Sequence, residues 1–344
     1  MFDIAVIGAG IMGLATAAAA SMRGASVVVF EQHNVGHSRG SSHGNARIFK
    51  LAYSDRAMVQ LATQSQALWR ELETVTDTDI LNTTGTLDVG DFKRRAHALA
   101  ECGVDFEALD SHEVDRRFGY SVDPGAVVLY QADGGVLQAD RAIIALRNQA
   151  EARGARIVEY SVVSRLDVSS NHVGITASTG EVEARVAVVT AGAWSKTLLE
   201  PTGIRLPATV TRETVTYLDV EEREPKPPLS QWGSLPLGAV AYGLFTREGN
   251  LKVGLHRSGP EVDGQLEGIA DSATIHQARI WAKRTFRLTS NPSVTAETCL
   301  YTNLPDERFL IRRYGRIIVG SACSGHGFKF APIVGKQLAT LALE

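Results

Sequence analysis

The sequence predicts a mixed α/β protein: a Rossmann-like nucleotide-binding domain into which an antiparallel-sheet domain is inserted. Three observations predict it. The chain opens on a strand, a glycine turn, a helix and a second strand; two further wholly apolar runs, Val186-Ala-Val-Val189 and Ile317-Ile-Val319, each lead into a small-residue turn. Between these runs lie stretches that read as antiparallel strands, notably Tyr242–Phe245 and Leu251–His256. Apolar runs of that kind are buried parallel strands whose C-terminal ends face a ligand.

The opening unit is the most informative. Ile4–Ile7 is a short apolar strand, Gly8-Ala-Gly10-Ile-Met-Gly13 has G-x-G-x-x-G spacing, Leu14–Met22 reads as helix, and Val27–Phe30 is a strand ending in Glu31. Gly8 permits the tight turn, Gly10 lets backbone approach a pyrophosphate, and Gly13 lets the helix sit close on the sheet; the helix N-terminus supplies N–H donors to phosphate. An acid at the tip of the second strand suits a ribose with both hydroxyls free, so an adenine dinucleotide without a 2′-phosphate is expected. The motif alone leaves NAD and FAD open.

A chain of 344 residues is long enough for two domains. The net charge of −3, with charges well mixed, argues against nucleic acid or an anionic membrane as main partner. Cys102, Cys299 and Cys323 are too scattered for a disulfide framework or metal site, which implies a reducing, cytoplasmic setting and no metal. The apolar N-terminus lacks a basic n-region and is punctuated by glycine, so it is not a signal peptide. No apolar run is long enough for a membrane helix, and Leu-Ala-Leu-Glu344 is no peroxisomal address.

After Glu31, residues 32–45 form a polar loop dense in Gly, Ser and His, expected to wrap on a ligand. Residues 55–74 have helical spacing, with Ser54 or Asp55 as N-cap and Trp69 in the core. Residues 82–133 mix strands and short helices. A helix over 140–153 and a strand over 155–160 follow; then comes a small hairpin of Val173–Ala177 and Glu181–Ala184, and the buried strand that ends at Thr190-Ala-Gly192-Ala-Trp194. Strands dominate from 206 to 299, with a helix over 274–288. The interleaving assigns 1–84, 134–205 and 297–344 to the nucleotide-binding domain, and 85–133 and 206–296 to the second, substrate-binding domain.

Ser324-Gly-His-Gly-Phe-Lys-Phe330 sits where a buried strand meets the final helix. Backbone N–H groups around Gly325 and Gly327 at a helix start can stabilise negative charge, on an anionic ligand or on the edge of a reduced flavin, and Lys329 adds a cation.

Taken in order, these motifs, together with Ser41-Ser-His-Gly-Asn-Ala-Arg47, Leu251-Lys-Val-Gly-Leu-His256 and Thr298-Cys-Leu-Tyr301, resemble the monomeric sarcosine oxidase and N-methyltryptophan oxidase family over essentially the whole chain. These are FAD-dependent amine oxidases of the D-amino acid oxidase superfamily. The resemblance implies oxidation of the C–N bond of a small N-methyl or other secondary amino acid to an imine, with O2 reduced to H2O2, by a monomer. It places FAD against Ser41, Ser42, His43, Val163, Ala191, Gly192, Trp194, Gly325, Gly327 and Phe328, with a covalent link through Cys299. By composition alone Cys299 would be a small core residue. Lys252 matches the lysine credited with activating oxygen, where a cation lowers the cost of forming anionic superoxide. His256, four residues on, shares its strand face. Arg47 matches an arginine near the flavin ring, Tyr242 a pocket tyrosine, and Lys329 a lysine that grips the substrate carboxylate.

Two departures stand out. The second carboxylate-binding position, an arginine in the family, is Lys50, a point charge in place of a planar fork; it leaves open direct binding, binding through water, or a different substrate. The chain also stops at Glu344, and the segment over 255–297 is short, from which a more open pocket is expected. Within the same fold, oxidation of primary L-amino acids, cyclic imino acids or simple amines is the nearest alternative, followed by a flavin dehydrogenase with another acceptor. From a different class, an NAD-binding reductase or a non-catalytic flavin carrier is the remaining rival.

Overall fold

The computed structural model describes all residues except 221, 223, 234–239 and 265–267. Its first sheet has a parallel core in the order Arg156–Val158, Val27–Phe30, Phe2–Ile7, Gly180–Val189 and Ile317–Ser321, edged by the antiparallel strand Leu310–Tyr314. Alternate residues of these strands enter two separate cores: Ile4, Val6, Val27, Val29, Val186 and Val188 face one, while Ala5, Ile7, Val28, Phe30, Ala187 and Val189 face the other. Burial on both faces is why these strands read as unbroken apolar runs.

One face carries the helix Ile11–Ser21, packed against the final helix Ala331–Leu343. Their contact is close because it is built from small residues: a Cβ on Gly335 would lie 2.6 Å from that of Ala15. The other face carries a meander. Gly180–Val189 is one long strand whose first half pairs with Val173–Ala177, which in turn pairs with Val163–Val168. The expected hairpin is therefore the first half of the strand that reaches the cofactor turn. Val163–Val168 was not expected as a strand; only Leu166 in it is buried, so it carries no alternating pattern to read.

The second sheet runs Val294–Asn303, Thr209–Asp219, Asn250–His256, Val240–Phe245, Leu229–Gln231, Thr86–Val89, Val128–Gln131 and Glu107–Leu109. It is antiparallel except where Leu229–Gln231 meets Thr86–Val89. The helix Ser272–Thr285, capped by the Asp271 carboxylate, packs on it through Ala278, Trp281 and Ala282. A small third sheet joins Ala46–Phe49, Gly135–Gln138 and Leu81–Thr83. The helix Arg56–Thr76 starts at the N-cap Asp55, whose side chain accepts from Ala57 N–H at 2.7 Å. Trp69 is fully buried, as expected for a core residue, and also donates its indole N–H to the Lys329 carbonyl at 2.8 Å. No described helix is long and apolar enough to cross a membrane.

Candidate active site

A cavity of about 1020 Å³ runs from the N-terminal glycine turn to the antiparallel sheet. Its first end is built by close backbone contact. Gly8 has φ of +101°, and a Cβ there would lie 2.8 Å from the Thr190 carbonyl oxygen, so the Thr190–Gly192 turn presses directly on the glycine turn. Gly13 is not in the cavity wall; a Cβ on it would sit 1.9 Å from the Gly8 carbonyl oxygen, so its absence of side chain sets how near the helix comes. Gly10 lines the cavity opposite Ser42, whose hydroxyl accepts from Ile11 N–H at 3.1 Å and caps the helix.

Glu31 is buried at the strand end and accepts from Ala9 N–H at 2.9 Å and His33 N–H at 3.0 Å. Burial pushes its carboxyl up, but the His37 contact at 3.4 Å and the two backbone donors outweigh this and hold it below the usual range. It is an ionised acceptor at neutral pH. Trp194 stands 6.3 Å from the rings of His33 and His37 and, with Val163, Ala191 and Gly192, closes this end.

Midway, the loop 41–47 is tied down by Arg47. Its guanidinium donates to the carbonyls of Ser41 (2.9 Å), His43 (2.5 Å) and Ala46 (2.9 Å) and lies 5.4 Å over the Phe328 ring. Lys252 donates to the same Ala46 carbonyl at 2.9 Å. Burial, reinforced by Arg47, depresses the Lys252 ammonium well below its usual range. Cys299 is buried in the same wall, and burial pushes its thiol up to about 12 against the opposing charges of Arg47 and Lys252. Burial lowers His43 to about 4, so it is neutral, and its Nε2 has no partner among the described residues.

At the far end, Tyr242 lies across the strand pair onto Gly254, where a Cβ would come within 2.4 Å of its hydroxyl oxygen. Tyr301 and His256 pack on Gly325 in the same way. His256 faces Glu307 at 3.5 Å, and Glu307, held by His256 and Arg257, falls to about 2 despite its partial burial. Lys329 donates to the His326 carbonyl at 2.8 Å; burial, then the charge of Lys50, lowers it to about 7. Lys50 is not a free cation: it donates to Asp88 at 2.6 Å.

The residues expected from the sequence thus border one cavity, apart from Gly13, which shapes it from behind. Sequence reasoning missed Tyr53, Arg95, Tyr217, Trp232 and Tyr301 in the wall and Asp88 behind it. An acid inside the apolar run Thr86-Leu-Asp-Val89 was the one readable signal among them.

The chain matches the FAD dependent oxidoreductase family over residues 3–341. It belongs to that family. It is 30% identical to a monomeric sarcosine oxidase of Arthrobacter sp. (strain TE1826), covering 99% of this chain and 92% of that relative. It is 32% identical to the human peroxisomal sarcosine oxidase, covering 100% and 93%. Among solved structures it superposes on NikD, an amino acid oxidase essential for nikkomycin biosynthesis, with TM-score 0.90 at 25% identity, over 100% of this chain and 94% of that one. The protein is an FAD-dependent oxidoreductase, and the cavity fits the cofactor: an ionised, buried acid at one end, a side-chain-free cradle at Gly8 and Gly10, and a wall of N–H donors from Arg47 and Lys252 midway. Held between Glu31, the Gly8–Gly10 turn and the Arg47 wall, FAD would supply the acceptor for a hydride equivalent from a substrate C–H bond.

Proposed function

We propose that the protein oxidises the C–N bond of a small secondary amino acid to an imine and passes the electrons to O2, giving H2O2. One observation carries this: two buried lysines, Lys329 and Lys252, border the same cavity in different settings, one among aromatic rings at the end and one beside Arg47 and Cys299. Lys329 supplies a charge for a substrate carboxylate. Tyr242 and His256 wall the space for the amine, and Glu307 fixes the His256 ring. No side chain is required as a strong base, because the neutral amine needs only its α C–H presented in line.

Lys252 is the oxygen-side residue. A preorganised cation or N–H donor beside the site where superoxide forms stabilises that charge without reorganisation. Arg47 holds the loop that separates this wall from the adenosine end. Cys299 is the candidate for a thioether to the flavin: it lines the cavity beside Arg47 and Lys252, whose charges partly offset the burial that keeps it a thiol.

The names of the sarcosine oxidases support an N-methyl amino acid as substrate. The same reading takes the protein as a cytoplasmic monomer, consistent with three unpaired cysteines, in which 1–84, 134–205 and 297–344 bind FAD and 85–133 with 206–296 face the substrate. A peroxide-coupled panel of N-methyl, cyclic and primary amino acids tests it. Faster turnover of primary amino acids would overturn the secondary-amine assignment, and reduced enzyme that is slow to react with air would overturn the oxidase assignment.

A further inference from the structure

We propose that Arg95 and Lys50 form a second carboxylate subsite at the substrate end of the cavity, so that the substrate is a secondary amino acid bearing two carboxylates. The inference rests on the oxidase reading above and names its substrate class.

The substrate end holds a row of cations separated by aromatic rings. Lys329 lies 5.9 Å and Lys50 5.7 Å from the Tyr53 ring; Lys50 lies 5.5 Å and Arg95 4.6 Å from the Trp232 ring. Lys50 and Arg95 share one acceptor, Asp88 Oδ1, at 2.6 and 3.7 Å. Arg95 is 3% exposed, and the one hydrogen bond of its guanidinium among the described residues goes from Nη1 to the Gly90 carbonyl at 2.7 Å. The rest of its fork is free for a ligand.

Lys50 and Arg95 therefore face one buried carboxylate, with Lys329 next in the row beyond the Tyr53 ring. Of the other acids in the wall near this end, Asp55 and Asp306 are exposed, and Glu307 is already engaged by Arg257 at 2.8 Å and His256 at 3.5 Å. Charges removed from water need partners. A substrate α-carboxylate at Lys329 supplies one anion and leaves an excess positive charge at Arg95 and Lys50. A second carboxylate completes the balance. One further buried polar atom without a partner among the described residues, Tyr53 Oη, lies in this same row and can donate to a carboxylate. Lys329, Lys50 and Arg95 are all buried, and the ring that covers Arg95, Trp232, is 38% exposed. The second carboxylate thus belongs on the part of the substrate away from Lys329, where Arg95 offers a planar fork to it.

The test uses the holoenzyme. Flavin reduction by sarcosine and N-methyl-L-alanine is compared with that by N-methyl-aspartate, N-methyl-glutamate and iminodiacetate. The best dicarboxylate should exceed sarcosine in kcat/KM by about tenfold or more, the effect of one well-made charged contact. Arg95→Gln should cut the dicarboxylate value at least tenfold further than the sarcosine value, mainly through KM, and Arg95→Lys should restore part of it. Arg95→Lys alone serves if Arg95→Gln does not fold. Equal or better use of sarcosine by the wild type, or equal losses in both series, overturns the subsite. If no amine reduces the flavin, the oxidase reading has failed, and titration with glutarate and butyrate, read by flavin absorbance, decides the subsite alone. Tighter glutarate supports it and equal affinity overturns it.

Discussion

Replacing Asp88 by Asn tests the charge arrangement behind the cavity most directly. Asp88 is 1% exposed and accepts from Lys50 at 2.6 Å, with Arg95 at 3.7 Å on the same oxygen. Asp88→Asn leaves two buried cations without their counter-ion, whereas Lys50→Met leaves Asp88 still facing Arg95. Removing one partner of a buried pair costs about 3–5 kcal/mol, chiefly by stranding the other charge. Asp88→Asn should therefore cost ~3–5 kcal/mol, and Lys50→Met clearly less. At roughly 2 °C per kcal/mol for a chain of this size, the Asn variant melts ~6–10 °C lower. The double variant Lys50→Met with Asp88→Asn should be more stable than the two single losses added together, since each removes a charge the other would strand. Thermal and urea unfolding of the flavin-loaded protein, followed by tryptophan fluorescence, gives all four corners of the cycle. A Lys50→Met loss equal to or larger than that of Asp88→Asn, or strict additivity, would refute the shared-acceptor geometry.

Lys252→Met should leave flavin reduction by substrate within a few-fold and slow reoxidation by O2 by about 10²-fold, the usual cost of one preorganised electrostatic group; stopped-flow measurement of the two half-reactions separates them, and unchanged reoxidation removes the oxygen role. The denatured wild-type protein should retain flavin in its intact mass, and Cys299→Ser should release it on acid precipitation; a wild-type mass equal to apoprotein excludes the link. Because Lys329 is lowered to about 7, butyrate, which has no amine to titrate, should bind with constant affinity below that pH and progressively more weakly above it as the ammonium is lost. A dissociation constant that stays flat from about pH 6 to 9 would show that Lys329 is not the carboxylate partner.

How far the sequence could be read depended on where the determining contact lay. Gly8, Gly10, Gly13 and Glu31 act within one β-α-β unit, so their spacing carried their meaning, and the structure returns it as contacts of Gly13 on Gly8 and of Glu31 on Ala9. Trp69 was legible as core by helical period, but its bond to the Lys329 carbonyl spans 260 positions and no local pattern encodes it. Lys50 was legible only as a departure from an arginine; its partner Asp88 comes 38 positions later on a strand of another sheet. Arg95 follows Lys93 and Arg94 in a helix whose Ala98 and Leu99 are buried, and a basic triplet there reads as solvated surface. Only the packing of Trp232 onto it shows otherwise.

The net charge of −3 conceals a strongly polarised cavity. The end at the glycine turn presents the ionised Glu31, while Arg47, Lys252, Lys329, Lys50 and Arg95 follow toward the other end, with Asp88 behind them and Glu297 and Glu307 in the same wall. An even mixture of charges along the chain gives no hint of this, because folding brings the cations together from four separate segments. The burial that lowers Lys252 and Lys329 is the cost of that concentration, and anions drawn into the cavity relieve it. A carboxylate entering beside Lys329 raises that lysine back toward its charged form, so binding and protonation reinforce each other. On the proposed oxidase reading, the same field acts on charge that builds up near Lys252 and favours electron transfer to oxygen. On the proposed function, substrate binding and oxygen activation draw on one electrostatic feature, and a substitution that removes a cation at either place should be felt at the other, more weakly the farther apart they lie.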